Sequence, residues 1–338
     1  MVSGKENSTT LPLLVGLDIG FGDVKVVFIH SSHLGEMNSF KFPTAVAYAR
    51  KGVIELDEEA EEYEFEGRRY LVGESTLSSA DIFSTRDISF LITYAPLLVY
   101  KAFEIIRAKQ NENFSEKHVC LGIPLSYFHE KRFELERRVR SFAVNGEFLS
   151  FDTAEVRPQS QGILFDFALD EMGNPIMERQ GLNLLILDIG FNTVDVLVVV
   201  EGRSSGKRSV MFERGGVSKM CEELSQYLQK EYRLNLSEQA VKEILTKQVF
   251  KLYGVKKDLS AAIRKMKEHY TDWLVQEVRS RFEDFLKQAD KLIIAGGGAY
   301  YVRDDFYERY PREFILIPPE PEYSNARGFL KFLKGVMR

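Results

Sequence analysis

Two aspartates stand where a carboxylate is expensive to place. Residues 14 to 29 read LVGLDIGFGDVKVVFI and residues 184 to 199 read LLILDIGFNTVDVLVV, a repeat at an offset of 170 in which eight of sixteen positions are identical. In each copy an apolar, β-rich run delivers an Asp, Asp18 or Asp188, just before a glycine-containing turn. A charge at the end of a buried strand is costly unless it has a strong partner. Either each Asp caps its own turn, or the two together, largely through water, hold a Mg²⁺ that bridges phosphate oxygens. The recurrence of the whole pattern favours the second reading. Gly20, Gly22 and Gly190 would permit the positive-φ backbone of a tight turn, and such a turn can bring N–H groups close to an anion. Lys25 lies just past the first turn, where a point cation could meet phosphate. The second copy has Asp195 at the matching position, which suggests one cationic contact and one acidic contact near the metal or an attacking water.

Two further groups could complete such chemistry. Gly296, Gly297 and Gly298, followed by Ala299, come after the short apolar run Lys291 to Ala295. They would let backbone approach a flat adenine or a ribose; alternatively they form a sharp strand-to-helix turn with no ligand. Gln159, in Arg157-Pro158-Gln159-Ser160-Gln161-Gly162, leaves a strand for a helix and could orient water towards a γ-phosphate, or simply start the helix. The five histidines form no array, and His30-x-x-His33 is too loose to be a site. No Walker A, Rossmann or G-x-S-x-G pattern occurs.

The elements that must position these residues follow from periodicity and turn chemistry. Each copy of the repeat reads as a β-hairpin. After the first come an irregular acidic stretch, Glu55 to Glu66, expected as exposed strands and turns on a solvated face with Lys41, and then a helix over 90–108. A strand follows over 118–123, then a helix over 128–140 and a hairpin turn at Asn145-Gly146. After the second come strands near 194–201 and 207–213, a helix over 217–232 and a charged segment, 237–288, expected to be mostly helical. The chain closes with a strand at 314–317, a Pro-rich turn at 318–321 and a helix over 325–336. Strands alternating with helices predict an α/β protein.

At 338 residues, two domains are expected. A net charge of −5 argues against coating nucleic acid, which calls for a basic face. Cys120 and Cys221 are far apart, and Cys120 lies in an apolar run, so reduced thiols and a cytoplasmic protein are expected. Met1 to Thr10 is polar, without the apolar stretch of a signal peptide. The 90–108 helix carries Lys101, Glu104 and Arg107, which fits a buried domain helix better than a membrane span.

DIGFGDVK (18–25), DIGFNTVD (188–195) and IIAGGGAYYV (293–302) resemble the phosphate-1, phosphate-2 and adenosine motifs of the actin, Hsp70 and sugar-kinase superfamily. GIPLSYF (122–128), VRPQS (156–160) and SNARGFLKF (324–332) are similar to the ParM/StbA-type plasmid-segregation actins and their archaeal actin-like relatives, so the resemblance spans nearly the whole chain. It implies a two-domain actin-like ATPase fold, each domain with an RNase-H-like core and ATP or ADP with Mg²⁺ in the interdomain cleft. Domain I would span 1–160 with the C-terminal helix, about 322–338, returning to it; domain II would span 161–321. Asp18 and Asp188 go to metal-facing positions, Gly20, Phe21, Gly22 and Lys25 to the first phosphate loop. Gly190, Phe191, Asn192, Thr193 and Asp195 go to the second, and Gly296 to Ala299 to the nucleoside. Gln159 falls where the family positions the hydrolytic water; it is Gln here, as in actin, where ParM-type sequences commonly have Glu. The implied activity is ATP hydrolysis coupled to self-assembly into filaments, for DNA segregation or as a cytoskeleton, with a DNA-bound adaptor as partner and no membrane. A small-molecule kinase and a non-polymerising nucleotide-gated scaffold are the alternatives on this fold.

Overall fold

The computed structural model describes residues 12–30, 36–49, 61–78, 83, 87–110, 114 and 116–337. Met1 to Thr10, His33 and the first part of the acidic run, 55–60, lie outside the described residues. The chain divides into two compact units, Met1–Ile176 with Asn325–Arg338, and Met177–Ser324.

The first unit opens with an antiparallel meander, β1 (Leu13–Ile19), β2 (Asp23–Ile29) and β3 (Asn38–Pro43). A small sheet follows, β4 (Val46–Tyr48), β5 (Glu62–Phe65) and β6 (Arg68–Val72). In the described part of the acidic run, Tyr63 and Phe65 are buried while Glu62 and Glu64 are exposed. That stretch is therefore a half-buried strand and not a wholly solvated face, because alternation sends every second side chain inward. Next come α1 (Ile88–Gln110), β7 (Lys117–Ile123) and α2 (Phe128–Arg140). The hairpin β8 (Ser141–Val144) and β9 (Glu147–Ser150) turns at Asn145 and Gly146, both at positive φ, 54° and 74°. Then come β10 (Thr153–Pro158) and α3 (Gln161–Ala168). The main sheet runs β10-β7-β1-β2-β3, with β7 and β10 parallel to β1. Helix α1 is long and apolar enough to cross a membrane by composition, yet its apolar residues are buried in the core of this unit. Its buried Lys101 pairs with Glu61 at 3.0 Å and with the Tyr63 hydroxyl at 3.2 Å.

The second unit repeats the plan. Its sheet comprises β11 (Leu184–Ile189), β12 (Thr193–Val200), the short β13 (Arg203–Ser204) and β14 (Val210–Glu213), the last two both pairing with β12. Helices α4 (Ser218–Tyr232) and α5 (Glu238–Lys247) follow. The segment 237–288 is mostly helical, as expected, but a hairpin that the sequence reading did not foresee interrupts it, β15 (Val249–Leu252) and β16 (Val255–Asp258). Gln248 ends α5 at φ 59°, and Tyr253-Gly254, at 49° and 80°, supply the two consecutive positive-φ residues of a hairpin turn. Phe250 anchors the hairpin edge-on to Tyr232. Then come α6 (Ser260–Leu286), β17 (Lys291–Ala295), α7 (Ala299–Arg309) and β18 (Ile315–Leu316). β17 runs parallel to β11, and β18 parallel to β17. Both sheets thus have a three-stranded antiparallel half joined through the repeat hairpin to a parallel half, the RNase-H-like order.

The chain returns to the first unit as α8 (Ser324–Val336). The division at 176/177 falls later than the 160/161 boundary of the sequence reading. Helix α3 stays with the first unit because it packs on α8 almost backbone to backbone: a Cβ on Gly328 would come 1.7 Å from the Gly162 carbonyl oxygen. Arg327 adds a bidentate pair to Asp166, at 2.8 and 2.6 Å, and Lys331 lies 2.8 Å from the same carboxylate.

Candidate functional site: two phosphate-type hairpins

In the first unit the candidate residues collect at the carboxyl ends of the parallel strands, the edge where open α/β sheets hold ligands. Asp18 is in register with Gly122 on β7, and Gly122 with Arg157 on β10, so the exit of β10 delivers Gln159 beside Asp18. The Gln159 Nε2 donates to Asp18 Oδ1 at 2.6 Å, and Lys25 Nζ lies 3.3 Å from Asp18 Oδ2. Lys25 stands directly opposite Asp18 in the hairpin register. Asp18 and Gln159 are buried, so this is a charge-assisted cluster shielded from water. Gly122 has a reason of its own: a Cβ there would come 2.9 Å from both the Gln159 stem and the Phe329 ring of α8.

The turn between β1 and β2 is Gly20-Phe21-Gly22, and that between β11 and β12 is Gly190-Phe191-Asn192. Both close in the same way: Gly20 N–H donates to Asp23 O at 3.2 Å and Gly190 N–H to Thr193 O at 2.9 Å. The expectation that Gly20, Gly22 and Gly190 supply positive φ does not hold, since none of the three lies in that region. Two of them lie in close quarters. A Cβ on Gly20 would come 2.7 Å from Lys25 Nζ, and one on Gly190 would come 3.2 Å from Thr193 O. Phe21 packs into the hydrophobic core of its unit, so any contact it makes with a ligand is through its backbone. Phe191 is half-buried beneath Lys242, whose ammonium lies 5.4 Å from the ring centroid.

The second hairpin carries a different charge balance. Asp188 faces Asp195 across the ladder, in the place where the first hairpin pairs Asp18 with Lys25. Both carboxylates are buried, at 7% and 1% exposure. Two buried carboxylates on one ladder make this turn acidic and offer the oxygen donors that a hydrated divalent cation takes. Asn192 is also buried, and its Oδ1 finds no hydrogen-bond partner among the described residues. Thr193 is buried at the start of β12. Oxygen donors at a turn suit a hydrated Mg²⁺, which keeps several waters. Among the described residues no three His, Cys, Asp or Glu side chains gather into a direct ligand set.

Sequence reasoning missed what braces the second turn. The N–H groups of Gly216, Val217 and Ser218, at the start of α4, donate to the carbonyls of Asn192, Gly190 and Phe191 at 3.2, 3.1 and 2.7 Å. A Cβ on Gly216 would come 2.5 Å from two of those carbonyl oxygens; the Gly215-Gly216 pair before a helix was the available signal. In the first unit the missed neighbour is Thr44, whose N–H donates to Gly22 O at 3.2 Å and whose buried hydroxyl finds no partner among the described residues.

Gly296 to Gly298 follow β17, whose last residue, Ala295, is in register with Asp188. Two of these glycines are explained by packing. Gly296 adopts φ 80°, and its Cβ would come 2.5 Å from Ile189 O; the Cβ of Gly298 would come 2.1 Å from Ile189 Cγ2. A Cβ on Gly297 would meet nothing within 4 Å, so Gly297 alone of the three borders open space. Ala299 is fully buried at the start of α7.

Residues 16–163 match the family described as the N-terminal domain of actin-like proteins, and residues 186–308 match the C-terminal domain of archaeal MreB-like actin homologues. The chain is an actin-like protein by both of these regions. No curated protein matches it by sequence. Among solved structures it is similar to Ta0583, an archaeal actin homologue, at 19% identity and a TM-score of 0.77, covering 95% of this chain and 99% of that one. It is also similar to the chain of a 15-stranded ParM filament from Clostridium botulinum, at 16% identity and a TM-score of 0.75, covering 97% and 99%. The third is Bacillus thuringiensis ParM with ATP, at 16% identity and a TM-score of 0.69, covering 96% and 98%. At such identities these likenesses establish the actin-like two-domain fold.

Proposed function

We propose that this chain is an ATPase that binds Mg·ATP through its two hairpins, hydrolyses it and assembles with copies of itself into nucleotide-dependent filaments. The observation that carries the reading is the paired hairpin chemistry: one turn with Asp18 held by Lys25 and Gln159, and a matching turn with Asp188 and Asp195 both buried and opposite each other in the strand register. A plain pair of structural hairpins has no need for three buried carboxylates at its turns.

The chain's own groups divide the work. Turn N–H groups meet phosphate oxygens, and Lys25 supplies a point cation. Asp188 and Asp195 would hold a Mg²⁺, and Asp18, whose oxygens accept from Lys25 and Gln159, would contribute through water. The metal would supply positive charge that offsets the charge of the phosphates. Gln159 orients the attacking water, whose oxygen bonds to the γ-phosphorus as the bond to the β–γ bridging oxygen breaks; the water's proton passes to phosphate or solvent, and ADP and inorganic phosphate leave. Gly297, open where its two neighbours are packed, is the member of the triplet for a nucleoside to approach. Assembly is supported by the fold shared with a ParM that forms a filament. DNA segregation or a cytoskeletal role in the cytoplasm, with a DNA-bound adaptor, extends that support.

The test is light scattering and pelleting with Mg·ATP, Mg·ADP and no nucleotide, with phosphate release followed in parallel. Pelleting that needs ATP and reverses as phosphate appears is the expected result. Phosphate release without assembly over a wide protein concentration would remove the filament from the reading, and absence of nucleotide binding would remove the reading itself.

A further inference from the structure

Ser160, between β10 and α3, is fully buried and sits at φ 67°, a left-handed backbone in a residue that is not glycine. Such a backbone persists only where its surroundings hold it. Here the Ser160 N–H donates to Asn325 Oδ1 at 2.9 Å, a buried bond across 165 positions of chain. Asn325 is 4% exposed, in the first turn of α8, and is the first residue of the first unit after the chain leaves the second.

That turn has no room to shift. A Cβ on Gly16 would come 1.9 Å from Ala326 O, and one on Gly162 would come 2.6 Å from Asn325 O. One helical turn therefore touches β1 two residues before Asp18 and also the peptide that follows Gln159. The peptide preceding Gln159 is fixed as well, its N–H donating to Ile123 O at 2.7 Å. With both flanking peptides held, the Gln159 amide reaches Asp18 at 2.6 Å.

We infer that Asn325 is a positioning residue for hydrolysis: by accepting the Ser160 N–H it holds the left-handed peptide that aims Gln159 at Asp18 and at the attacking water. The inference rests on the reading of Gln159 given above. Asn325 acts through Gln159 and does not itself meet the substrate.

Two variants of the full chain test it. Asn325→Ala removes the acceptor, and Asn325→Asp keeps an oxygen in its place. Two readouts are followed: phosphate release with nucleotide affinity, and, in nucleotide-free protein, the Gln159 side-chain amide resonances with the exchange protection of the Ser160 N–H. In Asn325→Ala, hydrolysis is expected to fall about tenfold or more, with nucleotide affinity within about threefold of the parent. Its Gln159 amide moves to solvent-like shifts and its Ser160 N–H loses protection, while Asn325→Asp retains the parent values of all three. An Asn325→Ala protein with parental Gln159 resonances and Ser160 protection overturns the inference, as does a folded Asn325→Asp protein that has lost them. Should Asn325→Ala fail to fold, the Asn325→Asp result alone decides. Loss of Gln159 order with hydrolysis unchanged refutes instead the water-orienting role of Gln159, and the catalytic part of the inference with it.

Discussion

At the scale of the residue, the hairpins differ in what stands opposite the repeated aspartate. Asp18 pairs with Lys25 and accepts a hydrogen bond from Gln159, whereas Asp188 has Asp195 opposite it in the ladder. Asp195→Asn is expected to weaken the binding of Mg·ADP, which titration calorimetry checks. Gln159→Ala is expected to slow phosphate release by about a hundredfold while nucleotide affinity stays near that of the parent. The glycine triplet separates packing from binding. Gly298→Ala drives a methyl into Ile189 and is expected to cost about 1–3 kcal/mol. Gly297→Ala has open space, so it should leave the melting curve unchanged and weaken nucleotide binding. Of these residues the sequence marked Asp18, Gln159, Asp188 and the glycines by type and spacing. It assigned the glycines of the two turns to positive φ, whereas none of Gly20, Gly22 and Gly190 lies in that region.

At the scale of the element, the hairpin of β15 and β16 carries its own liability. Lys251 and Lys256 stand opposite each other on an exposed face of a ribbon that is two-stranded among the described residues. Like charges so placed destabilise the pair. Lys256→Glu replaces repulsion with attraction and is expected to add about 0.5 kcal/mol, read as a higher urea midpoint. This hairpin escaped the sequence reading because Val249 to Asp258 is short and lies between two strongly helical segments, although Val249, Phe250 and Val255 around the Tyr253-Gly254 turn were its signal. The repeat hairpins were legible because long Val- and Leu-rich runs flank a glycine turn twice over. The docking of α8 was legible only as a family resemblance. The close approaches at Gly16, Gly162 and Gly328 pair positions about 165 to 310 residues apart, and nothing local in the chain announces them.

At the scale of the whole molecule, stability is linked to ligand and to pH. A ligand that binds the folded chain stabilises it by mass action, so Mg·ADP at a hundred times its dissociation constant is expected to add about 2.7 kcal/mol. A thermal shift with Asp188→Ala, which should abolish the gain, checks this. Asp166 governs part of the acid limb. Burial pushes its carboxyl up, but Arg327 and Lys331 together hold it below the ordinary carboxylate range. A depressed folded pKa contributes stability that is complete above the unfolded value of about 3.9 and disappears as pH falls through the folded one. Asp166→Asn is thus expected to cost about 3 kcal/mol at neutral pH, with the gap to the parent closing below about pH 4. Equilibrium unfolding at a series of pH values measures it. Because Asp166 ties α3 to α8, the loss falls on the first unit.

The sequence by itself determined the alternating α/β layout, the duplicated hairpin and the residues that carry charge at each turn. These are local properties, written in the period of apolar residues and in the chemistry of four or five consecutive positions. Only the tertiary structure decided that Lys25 answers Asp18 while Asp195 opposes Asp188, through a cross-strand register. It alone brought Gln159 to Asp18 across 141 positions and Asn325 to Ser160 across 165. Such meetings arise where strand ends align and where glycines let helices approach backbone to backbone, and neither condition is visible until the chain has closed on itself.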